Sequence, residues 1–407
     1  MQGKSGHYLV KSVFNAYGNV TLVQYFDEKM QPTLGPDGVF ETDSSYDDRG
    51  LLSETVNLDV KKNQPKENRQ GIWRTTFEHN AKQLETRREY FGMNNKPAAD
   101  EYGVHLYITE NDDVGRILRH TELGKNGEGV YDAYLGIATM RQKLDAKGNW
   151  TEQSFYDAHD HLAVGRFGYA KGTANRDKEG IIEKSMYGPD ERLMINRLWG
   201  WAREVETYQK DKLLSDSYYG ADGSLIKGPE GYAIHTRELD AAGNLVREEF
   251  LDSSHKLTFG PGGYAKRESN GKQEAYYGVH GELLDHPKDV VVMLYVNQFS
   301  SMDAPGLKSG IQVGDVLWKC GDWSYTESLP RAMSAAKTPE DVLDKLWADF
   351  KGQVALAKQK RQQLTVLRDD RIVKLVLPVI PSGKLGIQRG DRSYPRAYYE
   401  QTYSHLR

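Results

Sequence analysis

The segment Asp157-Ala-His159-Asp160-His161 is the densest group of metal-ligand side chains in the sequence. Carboxylate oxygens and imidazole nitrogens bind zinc and other divalent metals, so this segment supports one alternative function, that of a metal-dependent hydrolase. A zinc site, however, needs three or four converging ligands held by a second shell, and here they lie on a single short stretch. The segment occupies a position where neighbouring repeats carry turns, and we therefore predict an exposed turn and no metal ligand.

Three other features invite a catalytic interpretation. Ser334 and Lys337 match the S-x-x-K pattern of serine acyl enzymes, but the partner motifs S-D-N and K-T-G are missing. The glycine-rich stretch GKNGEG at 124–129 lacks the preceding strand and following helix that a phosphate-binding loop requires. Cys320 is the single cysteine and lies in an apolar stretch typical of a buried, inert thiol. We therefore predict no catalytic residue, no metal and no cofactor, and a protein that is not an enzyme.

A glycine repeat organises the elements that carry these residues. Nine glycines recur at intervals of 31 to 33 residues, a regularity typical of stacked structural repeats. They are Gly6, Gly38, Gly71, Gly103, Gly136, Gly168, Gly200, Gly231 and Gly263.

Each repeat carries the pattern of a β-hairpin. A second glycine often follows the first by 12 residues, usually after Asp or Asn, as in DAKGN and DAAGN. An aromatic pair such as Tyr25-Phe26 or Tyr218-Tyr219 follows near position 19 of the repeat. Period-two alternation in segments such as VHLYITE indicates strands with one buried face. The predicted fold class is mainly β, an elongated array of about nine β-hairpin repeats of ~32 residues followed by a compact α+β domain.

These hairpins resemble the degenerate bacterial YD-type and toxin-repeat families, in which Tyr-Asp and Asp-x-x-Gly-Asn signatures recur. The resemblance covers residues 1–285 and implies an extended antiparallel array that contacts other proteins. The stretch YYGADGSLIKGPEGYA at 218–233 is also similar to cell-wall choline-binding repeats, although those repeats are shorter. That second similarity implies a carbohydrate- or cell-wall-binding protein as an alternative.

The repeat aromatics admit two interpretations. Large rings on short strands supply the burial that a small repeat needs, which predicts that they pack between successive hairpins. An exposed ladder of the same rings would instead bind sugars or peptides. The residues that discriminate are Trp73, Trp201, Tyr169, Tyr232 and Tyr264.

Composition limits the partners. The 407 residues carry a formal charge of −4, so no overall basic field favours nucleic acid. Mean hydropathy is −0.70, and no apolar stretch approaches the ~18 residues of a membrane span. Without an apolar signal region in the first 30 residues, the expected location of the chain as supplied is the cytoplasm, or an exported compartment if a leader was removed.

The repeat pattern stops near Asp289, where the apolar run VVVMLYV at 290–296 begins. The following segment, DAPGLKSGIQVGDVLWKCGDW at 303–323, resembles the core of a bacterial PDZ domain, with a short helix, a Gly-Asp turn and a strand. The residues that carry the resemblance are Ala304, Gly306, Leu307, Gly310, Ile311, Gly314, Asp315, Val316, Leu317 and Gly321. QLTVLRDDRIVKLVLPV at 363–379 predicts a hairpin where PDZ domains carry their last strands.

The PDZ resemblance implies a peptide-binding loop in SGKLGIQ, the segment at 382–388. Its backbone amides would hold a carboxylate, and a neighbouring strand edge would accept a peptide as an added strand. The recognition residues expected on this basis are Gly383, Lys384, Leu385, Gly386 and Ile387. The alternative is a plain closing strand with a degenerate groove.

An amphipathic helix departs from the PDZ pattern. Thr338-Pro339-Glu340-Asp341 predicts a capped helix start, and Leu343, Leu346, Trp347, Phe350, Val354 and Ala357 follow at helical spacing. The helix would cover the core of its own domain, dock on the last repeats, bind a partner or block the groove. The predicted domains are therefore a repeat array at 1–288, a PDZ-like domain at 289–390 and a tail at 391–407.

Together these features predict a non-enzymatic protein-protein interaction or adaptor protein. The repeat array would be a binding platform, and the PDZ-like domain would recognise a peptide or chain terminus. A protease or its substrate is one candidate partner, which would make the protein a targeting or regulatory subunit. Neither nucleic acid nor a membrane span is expected, and the oligomeric state is left open.

Overall fold

The computed structural model describes residues 9–61, 64–133, 135–284, 290–300, 304–336, 338–368 and 371–395. The chain separates into two compact units, Met1–Ala163 and Val164–Arg407.

The first unit is a series of antiparallel strands, each paired with its neighbour in sequence. Its strands are β1 (Leu9–Phe14), β2 (Val20–Phe26), β3 (Glu41–Tyr46), β4 (Leu52–Leu58), β5 (Arg74–His79), β6 (Glu85–Phe91), β7 (Leu106–Asn111), β8 (Ile117–Leu123), β9 (Ile137–Leu144) and β10 (Trp150–Asp157). A 3₁₀ turn spans Met93–Asn95.

The second unit continues the same pattern in its own strands. They are β11 (Lys171–Arg176), β12 (Ile181–Tyr187), β13 (Arg203–Gln209), β14 (Lys212–Tyr219), β15 (Ile234–Leu239), β16 (Leu245–Leu251), β17 (Lys266–Ser269), β18 (Glu274–Tyr277) and β19 (Leu283–Leu284). The predicted mainly β fold with hairpin repeats is confirmed in both units.

Glycine makes the hairpin turns possible. Gly50, Gly115, Gly180 and Gly243 have φ between 79° and 91°, in the left-handed region that residues with a Cβ disfavour. An Asp or Asn completes each turn: the Asp47 Oδ1, for example, accepts the backbone N–H groups of Arg49 and Leu51. The glycine at position 12 of the repeat is thus the residue that reverses the chain.

The repeat aromatics pack between successive hairpins. Trp201, Tyr232 and Tyr264 are buried, at 6%, 3% and 9% exposure, whereas Trp73 is half-buried. The Phe250 ring lies 5.2 Å from that of Tyr232, in a tilted contact, and 5.7 Å from that of Tyr264, in an edge-to-face contact. The packing therefore supports the prediction that the repeat rings lie in the core. Trp201, Tyr232 and Tyr264 do not form an exposed ladder for sugars.

The segment that we call the C-terminal module, residues 290–395, has a different architecture. Its elements are β20 (Val290–Phe299), α1 (Pro305–Lys308), β21 (Val316–Cys320), β22 (Trp323–Ser324), α2 (Tyr325–Ala335), α3 (Pro339–Ala355), β23 (Gln362–Arg368), β24 (Arg371–Leu377) and β25 (Ile387–Pro395), with a 3₁₀ turn at Leu356–Lys358. The sheet order is β24-β23-β21-β20-β25, with β22 paired to β21. The predicted apolar strand, short helix, hairpin and capped helix all form.

Strand β25 crosses the boundary predicted at residue 390. Residues 390–395 pair with β20, so that Pro395 lies opposite Val290 and Asp391 opposite Leu294. The first part of the predicted tail is therefore a strand, because β20 is long enough to pair with it. The rest of the predicted tail, from 396 onward, lies outside the described residues.

The core of the C-terminal module also contains a residue of the repeat array. Leu198, from the loop between β12 and β13, is 3% exposed and packs in the same apolar cluster as Phe299 and Leu346. The Phe299 N–H donates to the Leu198 carbonyl at 3.3 Å. The module and this repeat loop therefore share one hydrophobic core. Among the described residues no helix combines the length and apolarity needed to cross a bilayer.

Candidate functional site

Helix α3 forms one wall of a cavity in the C-terminal module. It begins with a capping box, in which the Thr338 Oγ1 accepts the Asp341 N–H at 3.1 Å and the Asp341 Oδ2 accepts the Thr338 N–H at 3.0 Å. Its apolar face is buried in the module core through Leu343, Leu346 and Phe350. The helix thus covers the core of its own module, one of the arrangements that its periodicity predicts.

The opposite wall is the segment that the sequence singles out as a recognition loop. Gly383 and Gly386 have φ of 63° and 67°. A Cβ at Gly386 would lie 2.8 Å from the Ala304 Cβ, so a side chain is excluded there by both space and backbone conformation. Leu385, between the two glycines, is 4% exposed and anchors the loop in the core.

Two carbonyls of the loop are turned inward. The Leu385 carbonyl accepts the Gly306 N–H, and the Gly386 carbonyl accepts the Ser300 N–H, both at 2.8 Å. In a trans peptide the N–H points opposite to the carbonyl of the same peptide plane. The N–H groups of Gly386 and Ile387 therefore point away from those anchors, as the donors of an anion-binding loop must.

A cavity of about 550 Å³ separates α3 from this loop. Its volume lies within the range of small-ligand and peptide pockets. All five residues predicted to recognise a peptide line it, and α3 supplies much of the facing wall. The full lining is Ser300, Trp347, Phe350, Lys351, Val354, Ala355, Lys358, Ser382, Gly383, Lys384, Leu385, Gly386 and Ile387.

Strand β25 leaves this cavity at its edge. It pairs with β20 on one side and lies at the end of the described sheet. Ile387 lies opposite Phe299, and the neighbouring Ser300 N–H donates to the Gly386 carbonyl. Ile387 and Phe299 therefore form a non-hydrogen-bonded pair, in which the N–H and carbonyl groups of each residue point away from the partner strand. The first residue of β25 thus directs its backbone polar groups toward the side on which an added strand would lie.

The groups considered for metal binding and catalysis lie elsewhere. The Asp157 Oδ1 accepts the His159 and His161 N–H groups at 2.8 and 3.0 Å, and these backbone bonds, the His161 bond foremost, lower the pKa of Asp157. Asp160 pairs with Arg141. The segment is thus the predicted turn, and among the described residues no three or more His, Cys, Asp or Glu side chains converge so that they could hold a metal ion.

The remaining motifs have structural positions. Ser334 lies in α2 and donates to the Arg331 carbonyl at 2.9 Å, whereas Lys337 lies outside the described residues. In the stretch at 124–129, the Gly127 N–H donates to the Gly124 carbonyl in a turn. Cys320 is fully buried, and this burial raises the pKa of its thiol to about 12, which disfavours the reactive thiolate.

Sequence reasoning missed a buried polar network in the array. The two His235 ring nitrogens lie 2.8 Å from the Asp216 Oδ1 and 2.9 Å from the Glu248 Oε1. Tyr232 donates to Asp216, and Tyr264 to Glu248. The three charged groups are each 4% exposed. Nothing in their local sequence separates them from the solvated charges around them, because the network joins three strands.

No protein-family model matches the sequence, and no curated protein matches it. Solved structures with some similarity include the TcdB2-TccC3 complex, at 12% identity over 71% of this chain and 14% of that one, with a TM-score of 0.28. The Photorhabdus luminescens Tc holotoxin pore matches at 11% identity over 97% of this chain and 18% of that one, with a TM-score of 0.28. This chain thus spans less than a fifth of the length of either, and no function is transferred at these scores.

Proposed function

We propose that this protein is a non-enzymatic interaction protein whose C-terminal module binds the C-terminus of a partner chain. The module is a PDZ-like domain in this proposal. The partner's terminal carboxylate lies against the loop Gly383–Ile387, and its last residues add as a strand to β25, between β25 and α3. The repeat array provides a second contact surface, and two surfaces in one chain raise the effective concentration of a shared partner.

The observation that carries this proposal is the orientation of the loop. The Leu385 and Gly386 carbonyls accept the Gly306 and Ser300 N–H groups, so the Gly386 and Ile387 N–H groups point away from those anchors, toward the side where a ligand would lie. The Gly383 and Lys384 N–H groups instead donate to the Ile380 carbonyl and the Ser382 hydroxyl. Beside them lies the cavity, whose apolar wall includes Phe350 and Val354. Aligned N–H donors next to an apolar cleft fit an anionic chain end that carries an apolar side chain.

The space beside helix α3 supports an open groove over the degenerate alternative, a plain closing strand. A plain closing strand would pack against the helix without space for a peptide, whereas the cavity here is about 550 Å³. The repeat rings are the basis of the carbohydrate alternative, and their burial gives that alternative no support. A role beside a protease stays a prediction that rests on the PDZ resemblance.

The test is a peptide-binding measurement on the full chain with a blocked groove. Ala355 is exposed and lines the cavity, so Ala355→Trp fills the groove without removing a core contact. The wild type should capture members of an array of C-terminal peptides with free carboxylates and lose them when the same peptides are amidated. The Ala355→Trp variant should lose at least about tenfold in affinity, since one blocked anchor pocket is worth that much.

The matched control is Ala348→Trp, an exposed alanine of α3 outside the cavity lining. It should bind as the wild type does. Equal binding by the Ala355→Trp variant, or equal capture of free and amidated peptides, would contradict the proposal.

A further inference from the structure

One face of α3 carries a row of side chains, most of which line the cavity. Asp344, Trp347, Lys351 and Val354 are separated by three or four residues, which places them on one side of the helix. The last three line the cavity, and Lys358 extends the row in the 3₁₀ turn that follows. Asp344 stands at the end of this row that is farthest from the loop.

The cavity lining has charge of one sign. It includes Lys351, Lys358 and Lys384 but no Asp or Glu, although the whole chain carries a net charge of −4. Within the described part of the chain, none of the three lysines forms an ion pair. Cations gathered in a cleft with apolar walls attract anions more strongly than the same cations spread over a surface.

Among the described residues, Asp344 of the helix row is the one carboxylate that forms an ion pair between α3 and β25. Arg389 lies two residues after Ile387 on β25, so the two side chains share a face of that strand. The Arg389 Nη2 is 2.5 Å from the Asp344 Oδ1 on α3. The ion pair therefore spans the space between the edge strand and the helix.

This ion pair is carried by β25, the edge strand that an added strand would join. A strand paired with β25 would lie about 4.8 Å from it, which brings the ligand's side chains within reach of Arg389. The Arg389 side chain is 23% exposed, whereas that of Asp344 is 65% exposed. The Arg389 guanidinium is thus largely buried, whereas the Asp344 carboxylate is exposed. An exposed ion pair of this kind contributes at most about 1 kcal/mol to stability.

We infer that the groove selects acidic chain ends. Asp344 forms an ion pair with Arg389 in the free protein, and a carboxylate of the ligand replaces Asp344 in that ion pair on binding. The ligand is a protein C-terminus with Asp or Glu among the residues before its terminal one. Its side-chain carboxylates bind Arg389 and the lysine row, while its terminal carboxylate binds the loop. This inference rests on the proposed function, because binding of the ligand's terminal carboxylate to the loop positions the ligand's acidic side chains beside Arg389.

The experiment measures the affinity of the full chain for three synthetic octapeptides by isothermal titration calorimetry. The first ends in Glu-Glu-Leu with a free carboxylate, the second has Gln in place of both Glu, and the third is the first with an amidated end. The Glu peptide should bind at least about tenfold more tightly than its Gln twin, and the difference should shrink at high salt.

The substitution Asp344→Asn removes the internal carboxylate. It should raise the affinity for the Glu peptide by about twofold to fivefold and change that for the Gln twin much less. Asp349→Asn is the matched control, because Asp349 is an exposed carboxylate of α3 outside the row and its loss changes the net charge equally. That control should leave the preference for Glu unchanged.

The outcomes separate the inference from the proposed function. Equal affinities for the Glu and Gln twins would overturn the inference, and so would a failure of Asp344→Asn to exceed Asp349→Asn. Equal binding of free and amidated Glu peptides would instead contradict capture of the terminus. If no peptide binds, both are wrong. Melting temperatures of both variants within a few degrees of the wild type would show that they remain folded.

Discussion

At the scale of single residues, the buried charges around His235 are the most constrained group in the array. Burial disfavours the imidazolium, but hydrogen bonds to Asp216 and Glu248 outweigh it and raise the pKa of His235. Burial also opposes ionisation of Glu248, yet bonds from His235, Tyr264 and Arg237 lower its pKa to about 2. The hydrogen bonds to two carboxylates from neighbouring strands therefore favour the charged form of His235.

The substitution His235→Gln should destabilise the repeats around β15 by about 3–5 kcal/mol, since it leaves buried carboxylates without their cation. The effect depends on pH. The His235 contribution is complete below its unfolded pKa of 6.5 and is lost as pH rises through the raised folded value. The Glu248 contribution is complete above 4.5 and is lost as pH falls toward about 2.

The difference between variant and wild type should therefore be largest between about pH 4.5 and 6.5. Hydrogen exchange of amides in β14, β15 and β16 measures it locally, which avoids assuming that the whole chain unfolds in one step. His280→Gln is the control, because His280 is exposed. A pH-independent difference would contradict the assignment of a charged His235.

At the scale of elements, the repeat depends on glycines for two different reasons. The hairpin-turn glycines supply a positive φ, as at Gly180 and Gly223. Other glycines make room for a ring: a Cβ at Gly228 would lie 2.2 Å from the Tyr218 ring. This second use was not recognised in the sequence. The signal that carries it is the glycine three residues before an anchor, such as Gly228 before Gly231.

Two turn glycines provide a matched prediction. A Cβ added at Gly223 would have no other atom within 4 Å, so Gly223→Ala should cost only the backbone strain, about 1 kcal/mol. At Gly180 a Cβ would lie 2.4 Å from the Tyr208 carbonyl oxygen, so Gly180→Ala should cost at least about 1 kcal/mol more. Thermal unfolding of both variants measures the difference, and equal costs would contradict the steric argument.

Another element-scale regularity is a cation over an aromatic ring across the hairpin. Arg74 lies over Phe91, and Arg203 over Tyr219, at 4.4 and 4.0 Å from the ring centroids. In both pairs the residues are cross-strand neighbours in the hairpin register. In the Tyr218-Tyr219 pair near position 19 of the repeat, Tyr218 is buried in the core whereas Tyr219 is covered by the Arg203 cation.

At the scale of the whole molecule, Leu198 joins the repeat loop between β12 and β13 to the C-terminal module within the second unit. A deletion of residues 289–407 would therefore not be a clean removal of one domain, because it would expose Leu198 of the array. Point substitutions in the groove are the better way to separate the contributions of the array and the module to partner binding.

The substitution Leu198→Ala should destabilise the module by about 2–5 kcal/mol, the cost of a cavity in a packed core. The readout is loss of hydrogen-exchange protection in β20 and α3, which belong to the module and not to the repeat. Ile195→Ala is the control in the same loop, because Ile195 is 44% exposed and should change stability by less than about 0.5 kcal/mol. Unchanged protection in the Leu198→Ala variant would show that the module is stable without the array.

The sequence by itself determined what is local. The glycine spacing, the Asp-Gly turns and the alternating strands predict the hairpins, and the capping box at Thr338 predicts where α3 begins. These features are readable because each depends on φ, on a nearby side chain or on a period within one element. The loop Gly383–Ile387 was also predicted from its residues and the resemblance that they support, and the structure places all five residues at one cavity.

Only the tertiary structure decided what the long-range contacts make of these elements. The ion pair of Arg389 with Asp344 joins residues 45 positions apart, and Leu198 enters a core whose other buried residues lie between Val291 and Leu385. The extension of β25 to Pro395 likewise depends on the length of its partner β20. No local pattern records such contacts, because the free energy that forms them comes from burial and charge pairing between distant segments.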